Sequence, residues 1–171
     1  MIWSKTKKAL EALLANSVKA HVQYHVTSYV TNETGIQRRA WITWDGKELA
    51  NFSDSAYLHA VEQVADQLQN ANNPQIGNRF RDYTGQAEQI VADQQQILPR
   101  YSFDEAVERY LSLSIDDAVI DKDPVIKALA MLDRRIGKRR LKQITIDAHT
   151  HPLVKQLYER RVQAEAILLP N

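Results

Sequence analysis

Asp45-Gly46 sits between two alternating runs, "QRRAWITW" and "KELANFS". A two-residue type I′ turn needs positive φ at both central positions, and Asp-Gly accepts both, so this stretch predicts a tight hairpin. Ala40, Ile42 and Trp44 share one face of the first run. Upstream, "HVQYHVTSYV" alternates in the same way. Val22, Tyr24 and Val26 point to one side, and His21, Gln23, His25 and Thr27 to the other. "TNETG" is turn chemistry between these two runs. Three antiparallel strands with one apolar face have to lie against helices.

The remaining chain supplies those helices. Residues 3–15 carry Leu10, Leu13 and Leu14 on one face. Ser53 or Asp54 opens a helix with Tyr57, Leu58, Val61, Val64, Ala65 and Leu68 at helical spacing. Residues 70–78 read as a loop, and the Gln-rich stretch after it as a polar outer helix ending before Pro99. Ser102 and Glu105 form a capping box for a helix that turns Phe103, Val107, Tyr110 and Leu111 inward. Asp123-Pro124 is a cap followed by proline at the first helical position. That helix is expected to carry Val125, Leu129, Leu132 and Ile136 inward and to stop at Gly137. Pro152 starts a last helix with Val154, Leu157 and Tyr158 on one face. The expected class is α+β: an N-terminal helix, a three-stranded antiparallel meander, then a mainly helical C-terminal majority. Residues 1–171 are expected to form one domain; any subdivision would fall at 70–84, separating 1–70 from 85–171.

Charge is unevenly spread although the net is only +1. Residues 1–44 carry six Lys/Arg against two Glu, residues 45–133 seven against sixteen acids, and residues 134–161 nine against two. The parts either neutralise one another within the fold or present a basic patch to a partner. The 171 residues include no cysteine, which excludes disulfides and thiolate metal sites. The N-terminus interleaves Lys with apolar residues and lacks the pattern of a secretory signal. No run is long and apolar enough to span a bilayer. A soluble cytoplasmic protein is expected.

Two stretches invite a chemical reading. In "TIDAHTHPLV", Asp147, His149 and His151 alternate. On an extended chain residues two apart lie roughly 6.6 Å apart along the strand, compatible with two ligands to one metal. The pattern looks like the metal-binding opening of a barrel hydrolase, but only about twenty residues follow it, too few for the later strands such a barrel needs. The plainer expectation puts His151 at the N-cap of the last helix. His21 and His25 are roughly 13 Å apart along a strand and cannot chelate one ion. His59 falls on a polar helix face.

The second stretch is "LDRRIGKRRLKQI", with six basic residues in thirteen. Arg134, Arg135, Lys138, Arg139, Arg140 and Lys142 could contact phosphates, dock an acidic protein, or pair internally. Cations after a helix C-terminus are favourable, and Asp133 is placed to clamp Arg134 or an arginine of "YERR". No aromatic residues interleave this segment to stack bases. There is no Gly-rich phosphate loop and no serine elbow. Acidic neighbours such as Asp116-Asp117 read as solvated helix surface.

Three segments together carry a resemblance: "MIWSKTKKALEALLANSVKAHVQYHVTSY", "LDRRIGKRRL" and "HPLVKQLYERRVQAEAI". They resemble a family of short uncharacterised bacterial proteins. That family shares an Asp-Arg-Arg-x-Gly-Lys-Arg segment and a final His-Pro-x-Val…Tyr-Glu-x-Arg helix. The resemblance implies a bacterial cytoplasmic protein and a recurring terminus built from His151-Pro152, Tyr158, Glu159 and Arg161 beside residues 133–139. It carries no activity.

The functional expectation is a non-enzymatic protein that acts by protein–protein interaction, immunity-like or regulatory, with no cofactor. The suspected surfaces are His25, Tyr29, Arg39 and Trp41 on the meander, and Arg134, Arg135, Lys138, Arg139 and Arg140. The alternatives are nucleic-acid binding through 134–142 and a metal-dependent hydrolase using Asp147, His149 and His151.

Overall fold

The computed structural model describes residues 2–31, 35–72, 83–95 and 97–166. Asp45 and Gly46 adopt φ of 49° and 75°, the two positive values a type I′ turn requires. Around that turn, β1 (Val22–Thr31), β2 (Gly35–Trp44) and β3 (Lys47–Ser53) form an antiparallel meander. β1 and β2 stay paired along their whole length, from Val22–Trp44 to Thr31–Gly35. β3 reaches only as far as Arg39, which faces Ser53. The pairs from Ser28–Arg38 outward therefore form a two-stranded overhang.

The inner sheet face is as expected: Val22, Tyr24, Ala40, Ile42, Trp44, Ala50 and Phe52 are all buried. The main core joins it to α1 (Trp3–Leu13), α4 (Arg100–Ser112), α6 (Pro124–Met131) and α8 (Pro152–Ala164). The short helices α5 (Ile115–Ile120) and α7 (Lys138–Leu141) contribute Ala118 and Leu141. A second cluster joins Ala60, Val61, Val64 and Ala65 of α2 (Asp54–Asn72) to Ala87 of α3 (Thr84–Ile90) and to Val91. No helix among the described residues is long and apolar enough to cross a membrane.

Several local expectations are corrected. The Gln-rich stretch is not simply an outer polar helix. α3 continues as a π-helical turn, Val91–Gln95, and Ala87 and Val91 are fully buried. Directly after it, β4 (Ile97–Leu98) adds a fourth strand, parallel to β3. Two paired residues carry no periodicity to read, so the strand exists only because Asn51 and Phe52 are there to meet it. The loop and boundary expected around 70–84 falls largely on 73–82, outside the described residues; α2 itself continues to Asn72. Leu58 and Leu111 face outward, 59% and 37% exposed.

Helix ends differ where tertiary partners intervene. Ser53 caps α2, its hydroxyl accepting from Ala56 N–H at 3.4 Å. Asp54, free of that task, accepts the Arg100 N–H at 2.7 Å. α4 consequently starts at Arg100, and the Ser102–Glu105 capping box is not used. Asp123 caps α6 as expected, accepting from Val125 N–H at 2.8 Å. However, α6 ends at Met131, not at Gly137. Its last turn gives way to an antiparallel bridge between Asp133 and Leu14. Ala15 N–H donates to the Leu132 carbonyl at 2.9 Å and Arg134 N–H to the Leu13 carbonyl at 2.8 Å. Gly137, at φ −77°, is the N-cap of α7 and uses no glycine-only conformation.

Candidate functional site

The basic segment 134–142 divides between internal pairing and solvent. Asp133 is buried, and its side chain is wholly enclosed. It accepts the Tyr110 hydroxyl, and Nε and Nη2 of Arg135 at 3.0 and 2.7 Å. Its partner is thus Arg135, not Arg134. Burial, with the bond to Asp133, pushes the Tyr110 hydroxyl well above the usual phenol range. The hydrogen bond to Asp133 raises the Arg135 guanidinium. Lys138 donates to the Glu165 carbonyl at 3.0 Å, and Arg140 pairs with Asp116. Arg134, Arg139 and Lys142 are exposed and have no ion pair among the described residues.

The arginine of "YERR" that matters is Arg161, 3% exposed. Its Nη1 donates to the Leu132 carbonyl at 3.1 Å and its Nη2 to the Ile136 carbonyl at 3.2 Å. Those are groups left open by the early end of α6. Its Nε lies 3.0 Å from Glu165, which also accepts the Ser17 hydroxyl at 2.6 Å. Burial drives Arg161 down from its ordinary value, with Glu165 and Asp133 pulling the other way. At Glu165 burial acts to raise the carboxyl, but Ser17, Arg161 and Lys138 together hold it below its ordinary range. One clamp therefore ties the α1–β1 link, the end of α6 and α8.

Residues 147–151 form a turn ahead of α8. Asp147 accepts from His149 N–H at 3.0 Å and from the Thr150 hydroxyl at 2.9 Å. The Thr150 bond is the largest cause of its lowered carboxyl value. His151 takes the N-cap, its Nδ1 accepting from Leu153 N–H at 3.2 Å while Nε2 lies 2.9 Å from the Ala92 carbonyl. A carbonyl only accepts, so the proton sits on Nε2 and both ring nitrogens are committed. Among the described residues, no three His, Asp or Glu side chains gather as a metal site.

On the outer sheet face, His25 stacks on Trp41 with centroids 4.8 Å apart and planes 8° from parallel. The Arg39 guanidinium lies over the same indole at 4.8 Å, held by Asn51 at 3.0 Å and by an ion pair to Glu48. His25 Nε2 meets the Thr43 hydroxyl at 3.1 Å. Partial burial, with Lys7 second, lowers the His25 imidazole. His21 does not belong to this row: it precedes the strand, stacks on Trp44 and pairs with Asp45. His59 bonds Gln63 on an exposed helix face. Tyr29 and Val30 are 49% and 76% exposed on the overhang.

The structure thus joins His25, Arg39 and Trp41 but separates them from Arg135 and Lys138, which belong to the clamp. Arg161, expected from the resemblance in a terminus beside residues 133–139, does sit there, but its partners are the Leu132 and Ile136 carbonyls and Glu165; 154, 157, 158 and 161 form one helical stripe. Comparison with curated proteins and with solved structures finds no match. One family model covers residues 2–162. The chain belongs to the SF0329 protein family.

Proposed function

We propose that the protein works by binding another protein, with the outer face and overhang of the β1–β2 hairpin as the contact surface. The carrying observation is the exposure of Tyr29 and Val30, 49% and 76%, on strands that are already paired. Burying them at an interface would order little new backbone, which keeps the entropic cost of binding low. Behind Tyr29, on its face of the sheet, Arg39 and Trp41 are of the types that dominate binding hot spots. The nucleic-acid reading has less support, because Arg135, Lys138 and Arg140 are paired with Asp133, Glu165 and Asp116. The hydrolase reading loses His151 to helix capping.

A photocrosslinking residue at position 29, compared with one at His59, tests the proposal in cells of the source organism. A protein crosslinked from position 29 but not from 59, and lost in Tyr29→Ser/Val30→Ser with its circular dichroism unchanged, is the expected result. Equal crosslinking from both positions would refute it.

A further inference from the structure

The Asp147–His151 turn also lines the wall of a groove with a different character from the hairpin. The groove has a volume of about 380 Å³ and runs between the α5–α6 turn, α6 and the start of α8. Small-molecule sites begin near this size. Its apolar surface comes mainly from the partly exposed Ile144 and Ile146, over the buried Met131 and Val154, within a lining that is slightly more polar than apolar. Lys122 and Lys127 line it too, with no ion pair among the described residues.

The neighbouring acids explain why those lysines are left over. Asp121 and Asp123, on either side of Lys122, both pair with Arg109, at 2.8 and 3.7 Å. Asp123 also caps α6. Asp147 is the one acid lining the groove among the described residues, and the Thr150 hydroxyl and His149 N–H hold it. Its negative charge opposes an anion at the turn end and favours one at the lysine end.

We infer that this groove binds a small amphipathic organic anion. Its carboxylate or phosphate would sit between Lys122 and Lys127, and its apolar body would lie along Ile144 and Ile146. Two point-charge ammonium groups on flexible stems suit either head group, and the apolar lining rewards a hydrocarbon body over a bare ion.

Amide chemical-shift titration of the full chain with octanoate, phenyl phosphate, octanol and inorganic phosphate tests this. Saturable shifts confined to residues 119–131 and 144–154 with the two organic anions are expected. Lys122→Gln/Lys127→Gln should weaken them about tenfold or more, while Lys127→Arg keeps them; unchanged shifts elsewhere confirm the fold. Thr145→Trp, an exposed change at the groove, should also block binding. The inference is overturned by no saturation below about 5 mM, by equal affinity in the double variant, or by octanol or inorganic phosphate binding as tightly as the organic anions.

Discussion

The clamp and the hairpin face use the same residue types to opposite ends. In each, an arginine lies near an aromatic ring and pairs with an acid: Arg135 with Tyr110 and Asp133, Arg39 with Trp41 and Glu48. Asp133 is fully enclosed, whereas Arg39 and Glu48 are each about a third exposed. Enclosure makes every lost partner expensive, since a buried charge left alone has no water to turn to. At the hairpin, water replaces what is lost, and the group is free to serve a partner. The two arginines themselves are about equally exposed, at 32% and 34%; what separates the pairs is the acid, enclosed at Asp133 and open at Glu48.

The most direct way to break this comparison is Asp133→Ala. It leaves the buried Tyr110 hydroxyl without its acceptor, while Arg135, a third exposed, turns to water; the loss should be about 3 kcal/mol, read as a melting-temperature drop of roughly 10 °C in a chain of this size. A drop comparable with that of Glu48→Ala would erase the distinction. Arg161→Met comes next, at about 2 to 3 kcal/mol, because the Leu132 and Ile136 carbonyls lose charged donors. Arg161→Lys should recover less than half of that loss, because one ammonium cannot reach both carbonyls in fork geometry.

The two regions should also separate by pH. Glu165 has a folded value below its ordinary 4.5, so the unfolded chain binds more protons between the two values. The stability it contributes is complete above about pH 4.5 and falls as pH drops through the folded value. His25, lowered from 6.5, acts with the same sign in a higher window: stability decreases as pH falls below about 6.5. Denaturant midpoints across pH should lose the lower slope in Glu165→Gln and the upper one in His25→Gln. At the N-cap of α8, His151→Ala should cost about 1 kcal/mol, and His151→Asn should restore most of it by keeping a cap acceptor. The smallest change is expected at the overhang. Tyr29→Ser/Val30→Ser should move stability by no more than about 0.5 kcal/mol while removing partner capture.

Much of this architecture was legible because its signals are local. The Asp45-Gly46 turn, the alternation along β1 and β2, the Asp123-Pro124 cap and the His151-Pro152 start each depend on neighbours within a few residues. The misreadings share a different cause. α6 stops at Met131 because the Leu13–Ala15 backbone competes for its end. α4 starts at Arg100 because Asp54, forty-six residues earlier, caps it. Of the candidate site, the row His25, Arg39 and Trp41 followed from strand periodicity. The division of the basic segment did not, since Glu165 and Asp116 become partners of Lys138 and Arg140 only when helices meet, and Asp133, two residues from Arg135, is enclosed only by the packing around it.

By itself the sequence determined the class of fold, the Asp45-Gly46 turn and the capping role of His151, because turn preferences and periodicity act over short range. Tertiary structure alone decided that Arg161 serves the interior and that Asp133 is enclosed against Tyr110 and Arg135, while Arg134, Arg139 and Lys142 face solvent. It also decided that Lys122 and Lys127 share a groove. The physical reason is that a charge takes its role from what surrounds it: enclosure and distant partners set whether it must be paired, and neither is written in the neighbouring residues.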